Sequence, residues 1–414
     1  MEFINDKQAF NFNVLDDLKH SNPVPLADSM LHGAKEQACK RFPNLDHLPG
    51  LDLFCAAQSD ISNRTNAQLM TDDMFKEYYD ASSFAPRFLA FHNDKNTIAA
   101  NWDMGQVMEC LTSSPELYSS ALNSGQVKQA RAALDHYWDK NGKPPGYNSG
   151  YTGGDKYYDD NAWVGIAFMD AHKLKHDPYY LNMANEIYDF DEYGSRGTEQ
   201  LAKPGGVFWT QQEGDKYRAT VSTAGAAQLA LMLYDTTHIQ KYLDFGKKQF
   251  DWVNEYLRTP AGLYQDGLDK DGSPHREEYT YNQGLMLGDA TLLFKATSDP
   301  KYLEMASNIA KTSLAAFNDN GSQVPGENPL PFKQQLTFFN AVFFKNLMDL
   351  DAIAPDPSYR KALADYADYI KQNTDQNGLV TNKDGKQTLL DQASAIQIVE
   401  LARTHPPADS NAKK

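Results

Sequence analysis

Four times between residues 160 and 375 the chain passes through the same alternation. A nearly unbroken apolar stretch is followed by a short polar break, then by a segment with apolar residues every three to four positions. The first kind of segment falls at 162–174, 224–234, 284–295 and 341–350, and reads as a helix buried all round. The second kind reads as an amphipathic helix, such as 302–314. The breaks resemble one another. They are His176-Asp177-Pro178-Tyr179-Tyr180-Leu181, His238-Ile239-Gln240-Lys241-Tyr242-Leu243, Ser298-Asp299-Pro300-Lys301-Tyr302-Leu303 and Pro355-Asp356-Pro357-Ser358-Tyr359-Arg360. Proline is tolerated in the first helical turn, so each Asp-Pro marks a helix start; the second copy lacks it.

The tyrosines Tyr180, Tyr242, Tyr302 and Tyr359 recur at spacings of 62, 60 and 57 residues. Each unit is one inner helix, a turn and one outer helix. Six or seven such hairpins would use up the chain. The expected architecture is all-α, an (α/α)6 toroid of inner and outer helices, formed by a single catalytic domain over residues 1–414. The first hundred residues fit the repeat poorly. Segments 72–91 and 126–138 still look helical and are counted as the first hairpins.

Twenty residues before each tyrosine stand Asp160, Ser222, Asn282 and Phe339, at the mouths of successive inner helices. If these helices run the same way round a ring, the polar residues nearby share one rim. They are Asp159, Asp160, Asn161, Ser222, Thr223, Tyr281, Asn282, Gln283 and Asn340. Ser222 and Asn282 could equally be N-caps, where such residues are favoured. Two adjacent aspartates exceed what a cap needs, and two unpaired charges at a buried helix end are costly. Like charges raise one pKa of a pair, and a helix N-terminus favours an ionised carboxylate. One group can then attack an anomeric carbon while the other protonates the leaving oxygen.

Aromatic and amide side chains suited to a sugar lie close by. Gly205-Gly206-Val207-Phe208-Trp209 is a glycine-led loop that could present Trp209 as a stacking platform, or close over it as core. Tyr279, Tyr281, Asn282 and Gln283 add stacking faces and amide donors. Asn161 and Trp102 complete the candidate substrate contacts, Trp102 being ambiguous from its surroundings. Trp163 reads as core, and Trp138 and Trp252 as structural. His275, Glu277 and Glu278 read as a solvated loop near the cleft. Asp269-Lys270-Asp271-Gly272 departs from calcium-loop spacing and reads as a turn.

Composition narrows the class. Net charge is −16, from 55 acidic and 39 basic side chains, which argues against nucleic-acid or anionic-membrane partners. Three cysteines, Cys39, Cys55 and Cys110, are too few for a metal cluster or a disulfide framework, although one pair could bridge. No zinc or phosphate-binding motif is present, so no cofactor is expected. No apolar run is long enough to span a bilayer. The N-terminus lacks a signal-peptide pattern, so the expected location is cytoplasmic, or extracellular for a processed mature form. A monomer is expected.

Tyr158-Asp159-Asp160-Asn161-Ala162-Trp163-Val164-Gly165, Gly205-Gly206-Val207-Phe208-Trp209, Tyr279-Thr280-Tyr281-Asn282-Gln283-Gly284 and Phe332-Lys333 together resemble glycoside hydrolase family 76, the endo-α-1,6-mannanases. The resemblance covers about residues 98–350. It implies the (α/α)6 fold and hydrolysis of α-1,6-mannosidic bonds in a mannan with retention of configuration. It also implies Asp159 as nucleophile, Asp160 as acid/base, and Trp209, Tyr281 and Asn282 as cleft walls. Phe208 and Thr210 flank Trp209 where the family often has a second aromatic. Two other readings are carried forward: a sugar epimerase on an α/α toroid, which would rely on cavity histidines, and a glycan-binding module without chemistry.

Overall fold

The computed structural model describes residues 65–81 and 85–407. The expectation of one domain from residue 1, and the cysteines Cys39 and Cys55, fall partly or wholly outside these residues. Cys110 is a buried free thiol.

Six helices form the inner ring: α2 (Asn101–Leu111), α5 (Tyr158–Lys175), α7 (Thr220–Thr237), α9 (Thr280–Thr297), α11 (Thr337–Asp351) and α13 (Leu389–Thr404). Each packs against the next in this order, and α13 packs back against α2, which closes the ring. Around it lie α1 (Asn66–Tyr78), α3 (Pro115–Asn123), α4 (Gln126–Leu134), α6 (Pro178–Tyr193), α8 (Gln240–Tyr256), α10 (Pro300–Ala316) and α12 (Pro357–Gln372). Helix α1 packs on α13, so the first described helix serves as the outer partner of the last inner one. This is the (α/α)6 toroid.

The repeated breaks do what their chemistry predicts. Asp177, Asp299 and Asp356 cap α6, α10 and α12, accepting from the backbone N–H of Tyr179, Lys301 and Ser358, with proline in the first turn. Before the first three breaks the inner helix ends on a left-handed residue, His176, His238 or Ser298, which reverses the chain within two residues. The repeated tyrosines are all buried. Small residues set the seams of the ring. A Cβ on Gly165 of α5 would meet Leu229 of α7 at 2.6 Å, and one on Gly105 of α2 would meet Trp163 of α5 at 3.3 Å.

The N-terminal expectations need correction. Segment 72–91 is helical only to Tyr78; Tyr79–Asp80 (β1) then pairs antiparallel with Arg87–Phe88 (β2). Pro86 has no N–H to continue a helix. Segment 126–138 is helical to Leu134, then turns into Trp138–Asp139 (β3), paired with Gly146–Tyr147 (β4). The inner helix of this part of the ring is α2, which buries Asn101, Gln106 and Glu109. Those polar residues hide it from an apolar-run criterion. Lower in the ring, side chains cross the axis: Lys345 of α11 meets Glu109 of α2 at 2.8 Å.

Candidate active site

Every inner helix starts at the same rim, and its first four residues have distinct duties. In five of the six the second residue lines a cleft, namely Trp102, Asp159, Val221, Tyr281 and Phe338; Leu390 of α13 does not. The cleft has a volume of about 590 Å³ and also takes in Tyr157, Asp160, Trp163, Trp209, Asp215, Tyr217, Asp266, Asp269, His275 and Phe339 among its lining. The fourth residue, in all but α2 where it is Met104, fastens the loop that leads into its helix. Asn161 accepts from Tyr147 N–H at 2.7 Å and donates to Tyr147 C=O at 3.1 Å. Gln283 holds both backbone groups of Tyr264, at 2.9 and 2.8 Å. Thr223 accepts from Val207 N–H at 3.0 Å, Asn340 donates to Phe332 C=O at 2.8 Å, and Gln392 accepts from Val380 N–H at 2.9 Å.

This division corrects two expected sugar contacts. Asn161 and Gln283 are fully buried clamps and do not reach the cleft. A third, Asn282, is also buried; its amide donates to Asp266 Oδ1 at 3.3 Å, so it acts on the cleft through Asp266. Nor are Ser222 and Asn282 caps. The N-caps of α7 and α9 are Ala219 and Tyr279, and neither makes a side-chain cap bond. Replacing Gln283 with leucine leaves both backbone groups of Tyr264 buried and unpaired. The expected cost is about 2–4 kcal/mol in urea unfolding.

Asp159 and Asp160 occupy the second and third positions of α5 and both line the cleft. Trp209 Nε1 donates to Asp159 Oδ2 at 3.2 Å, while Asp159 Oδ1 is buried without a partner. No described lysine, arginine or histidine forms an ion pair with either carboxyl. Burial pushes Asp159 up to about 7, against the Trp209 N–H and the backbone N–H groups of Asp159 and Asp160, which favour its ionised form. Asp160 is pushed up well above the carboxylate range by burial, then by the charges of Asp159 and Asp103. Asp191, on α6, is a third buried carboxyl with no partner for either oxygen; burial and then Asp159 raise it.

Trp209 is 39% exposed and leans on Tyr157, ring centres 5.0 Å apart. Its platform role depends on the glycines before it. Gly205 and Gly206 have φ of +112° and +81°, and a Cβ on either would strike the Trp252 indole at 2.7–2.8 Å. Arg218, wholly buried, donates to the carbonyls of Ala202 at 2.7 Å and Gly205 at 3.0 Å and so holds this loop from below. The opposite wall is aromatic. Tyr281 stacks on Phe339 with ring centres 4.0 Å apart and planes 7° apart, and Phe338 meets Trp102 and Trp163 edge-on at 5.3 and 5.2 Å. Trp163, read as core, is buried yet forms cleft floor. Tyr279 is not among the lining residues; it packs on Tyr281 and Phe339.

Asp266, Asp215, Tyr217 and Asp269 were missed by sequence reasoning, because they lie in connections outside the repeat. Arg218–Ala219 (β5), Gly267–Leu268 (β6) and Pro274–His275 (β7) form a small antiparallel sheet that brings them to the cleft. Tyr217 OH donates to Asp266 Oδ2 at 2.6 Å. His275 does line the cleft, with Nε2 3.2 Å from Asp269 Oδ2, and it is the only histidine there among the described residues. Among the described residues no cavity is built round histidines, as an epimerase would need. Among the described residues no group of three or more His, Cys, Asp or Glu side chains is placed to hold a metal ion.

The geometry has counterparts among known proteins. A mannan endo-1,6-alpha-mannosidase of Candida glabrata is 26% identical over 234 residues, 53% of this chain and 50% of that protein. A Saccharomyces cerevisiae protein of the same name is 26% identical over 183 residues, 39% of this chain and 38% of its own. The chain spans about half the length, or less, of these curated relatives. A family 76 glycoside hydrolase structure from a bovine Bacteroides thetaiotaomicron strain superposes with a TM-score of 0.68 at 26% identity, covering 81% of this chain and 76% of that one. An α-1,6-mannanase of a Salegentibacter species, solved as an inactive variant with two consecutive aspartates changed to asparagine and bound to α-1,6-mannotriose, gives 0.67 at 21% identity, covering 82% and 98%. At that identity the likeness bears on the fold alone. The model of glycosyl hydrolase family 76 matches residues 62–411, a span that takes in every inner helix of the ring, and the chain belongs to that family.

Proposed function

We propose that the chain is a glycoside hydrolase that cleaves α-1,6-mannosidic linkages within a mannan, with retention of anomeric configuration. The observation that carries this reading is the adjacent Asp159–Asp160 pair on the first turn of α5, both lining an aromatic-walled cleft. Asp159 is held by the Trp209 N–H and by helix N–H groups, so it ionises before Asp160. Asp159 then attacks the anomeric carbon as Asp160 gives its proton to the departing glycosidic oxygen. A mannosyl ester forms on Asp159 and the glycosyl–oxygen bond breaks. Asp160, now a carboxylate, takes a proton from water, which displaces Asp159 and releases the sugar. Trp209 and the Tyr281–Phe339 stack offer faces to the apolar sides of mannose rings. The name of the Candida relative, a mannan endo-1,6-alpha-mannosidase, supports the same substrate class.

Incubation with linear α-1,6-mannan is expected to release short mannose oligomers whose new reducing end is α by proton NMR before mutarotation. A β product would overturn retention, and an unchanged polymer the whole reading. The pH dependence follows from the pair. The rate requires Asp159 ionised and Asp160 protonated, so kcat/KM rises as Asp159 loses its proton and falls as Asp160 loses its own. Since both carboxyls are raised, the acidic limb is expected well above the roughly 4 of a free aspartate. An acidic limb at pH 4 would contradict the assignment.

A further inference from the structure

We propose that the cleft is a charge filter that excludes anionic glycans, with Asp215 and Asp269 as its specificity-determining carboxylates. The inference rests on the mannan-hydrolase reading and narrows its substrate to glycans free of phosphate or carboxylate near the cleavage point. Five carboxyl groups line the cleft: Asp159, Asp160, Asp215, Asp266 and Asp269. Among the described residues no lysine or arginine lines it, and the one basic side chain there, His275, is tied to Asp269. The nearest lysine in sequence to Asp215, Lys216, lies over the Phe208 ring at 4.8 Å and is not part of the lining.

The same carboxylates act on the phenols along the cleft. Tyr217 OH is pushed up by burial and then by Asp266, Glu277 and Asp269. Tyr281 is pushed up by burial and then by Asp266, Asp159 and two neighbouring phenols, and Tyr157 by burial and then by Asp155, Asp160, Asp159 and Asp215. At these three positions every neighbouring charge acts in one direction. Asp159, Asp160, Asp215 and Asp266 are all half-buried in the cleft lining. Asp269 is exposed, so an arriving ligand meets it first, and neither it nor Asp215 takes part in the bond-breaking steps. Low-dielectric aromatic walls concentrate such a field inside a cleft. A neutral mannose unit is indifferent to it, whereas a phosphate monoester is repelled.

The test uses α-1,6-mannotetraose carrying one 2-O-phosphate monoester, and the same sugar with that phosphate as its uncharged dimethyl ester. Charge differs, and the dimethyl ester is the bulkier of the two, so steric exclusion would act against it rather than against the monoester. At about 10 mM ionic strength, where the Debye length is roughly 30 Å, the monoester is expected to show a kcat/KM at least about tenfold below that of the dimethyl ester. The ratio is expected to shrink to about threefold or less at 0.5 M salt, and likewise at low salt in the Asp215→Asn/Asp269→Asn variant. Kd values by calorimetry are expected to follow the same ratios. Equal values for the two esters at both salt concentrations would overturn the proposal, as would a ratio untouched by the double substitution. Unmodified α-1,6-mannotetraose is the separate arm for the parent reading. If it is bound but not cleaved, the hydrolase reading fails while the Kd ratio still decides the filter.

Discussion

Asp159→Asn is expected to lower kcat on α-1,6-mannan by about 10⁴-fold or more, and Asp160→Asn by about 10²–10⁴-fold. The two losses have different chemistry. Without Asp159 there is no group to form the covalent sugar ester. Without Asp160 the ester can still form if the leaving group needs no proton. An aryl α-1,6-mannobioside with a good leaving group is therefore expected to restore the first step in Asp160→Asn, and azide to speed release of the sugar. Neither is expected to help Asp159→Asn. Equal rescue of both variants, or full activity of either on mannan, would sink the assignment.

The same pair predicts a gain in stability when it is removed. Asp159 titrates near 3.8 in an unfolded chain and is raised to about 7 in the folded one. Between those values the folded state binds more protons, so stability falls as pH rises through that window and stays low above it. Asn at position 159 has no charge to desolvate and escapes this loss. The Tm of Asp159→Asn is expected to match the parent at pH 4 and to exceed it by about a few degrees at pH 8. A variant less stable than the parent at pH 8 would mean that Asp159 holds the fold rather than strains it. The cleft would then be a structural site, and the chemistry argued from it would lose its physical basis.

The repeat carried most of the fold because one physical device recurs in it. Asp-Pro caps at Asp177, Asp299 and Asp356 mark outer helices whatever else changes, and the tyrosine that follows is always core. Counting back to Asp160, Asn282 and Phe339 located the rim because a buried helix has nearly the same length in each unit. The rim residues then divided by position in the first turn. In five of the six helices residue two faces the cleft and in five residue four fastens a loop, and a polar residue four close to Asp159 or Tyr281 looks in sequence like part of the same rim. Asn161 and Gln283 were misread for that reason. Asp266 and Tyr217 were missed for another. Their places depend on the pairing of β5, β6 and β7, each two residues long, and so short a strand has no alternating pattern to detect. Helix α2 was hidden because its polar residues are satisfied by other inner helices, as Gln106 is by Gln397 at 2.8 Å and Glu109 by Lys345.

Gly284→Ala is expected to cost about 3 kcal/mol or more in urea unfolding, a large loss for one methyl group. Gly284 belongs to the Tyr-Asn-Gln-Gly run that marks the start of α9. A Cβ there would lie 2.6 Å from Phe343 Cα, 2.9 Å from Phe343 N and 3.1 Å from the Val342 carbonyl carbon, all in the backbone of α11. A side chain in the way can rotate, but the spine of a neighbouring helix can only be displaced. Displacement would open the seam between α9 and α11, which Tyr281 and Phe339 bridge by stacking near the rim. The loss of stability is therefore expected together with a fall in kcat/KM on mannan, because the aromatic wall is built on both helices. Gly225→Ala is the matched control: its Cβ would meet one methyl, that of Ala162, at 3.2 Å, and the cost is expected to be smaller. Equal costs at the two positions would mean that helix propensity alone is being measured. A Gly284→Ala variant within about 0.5 kcal/mol of the parent would mean that the ring tolerates a wider seam than its packing implies.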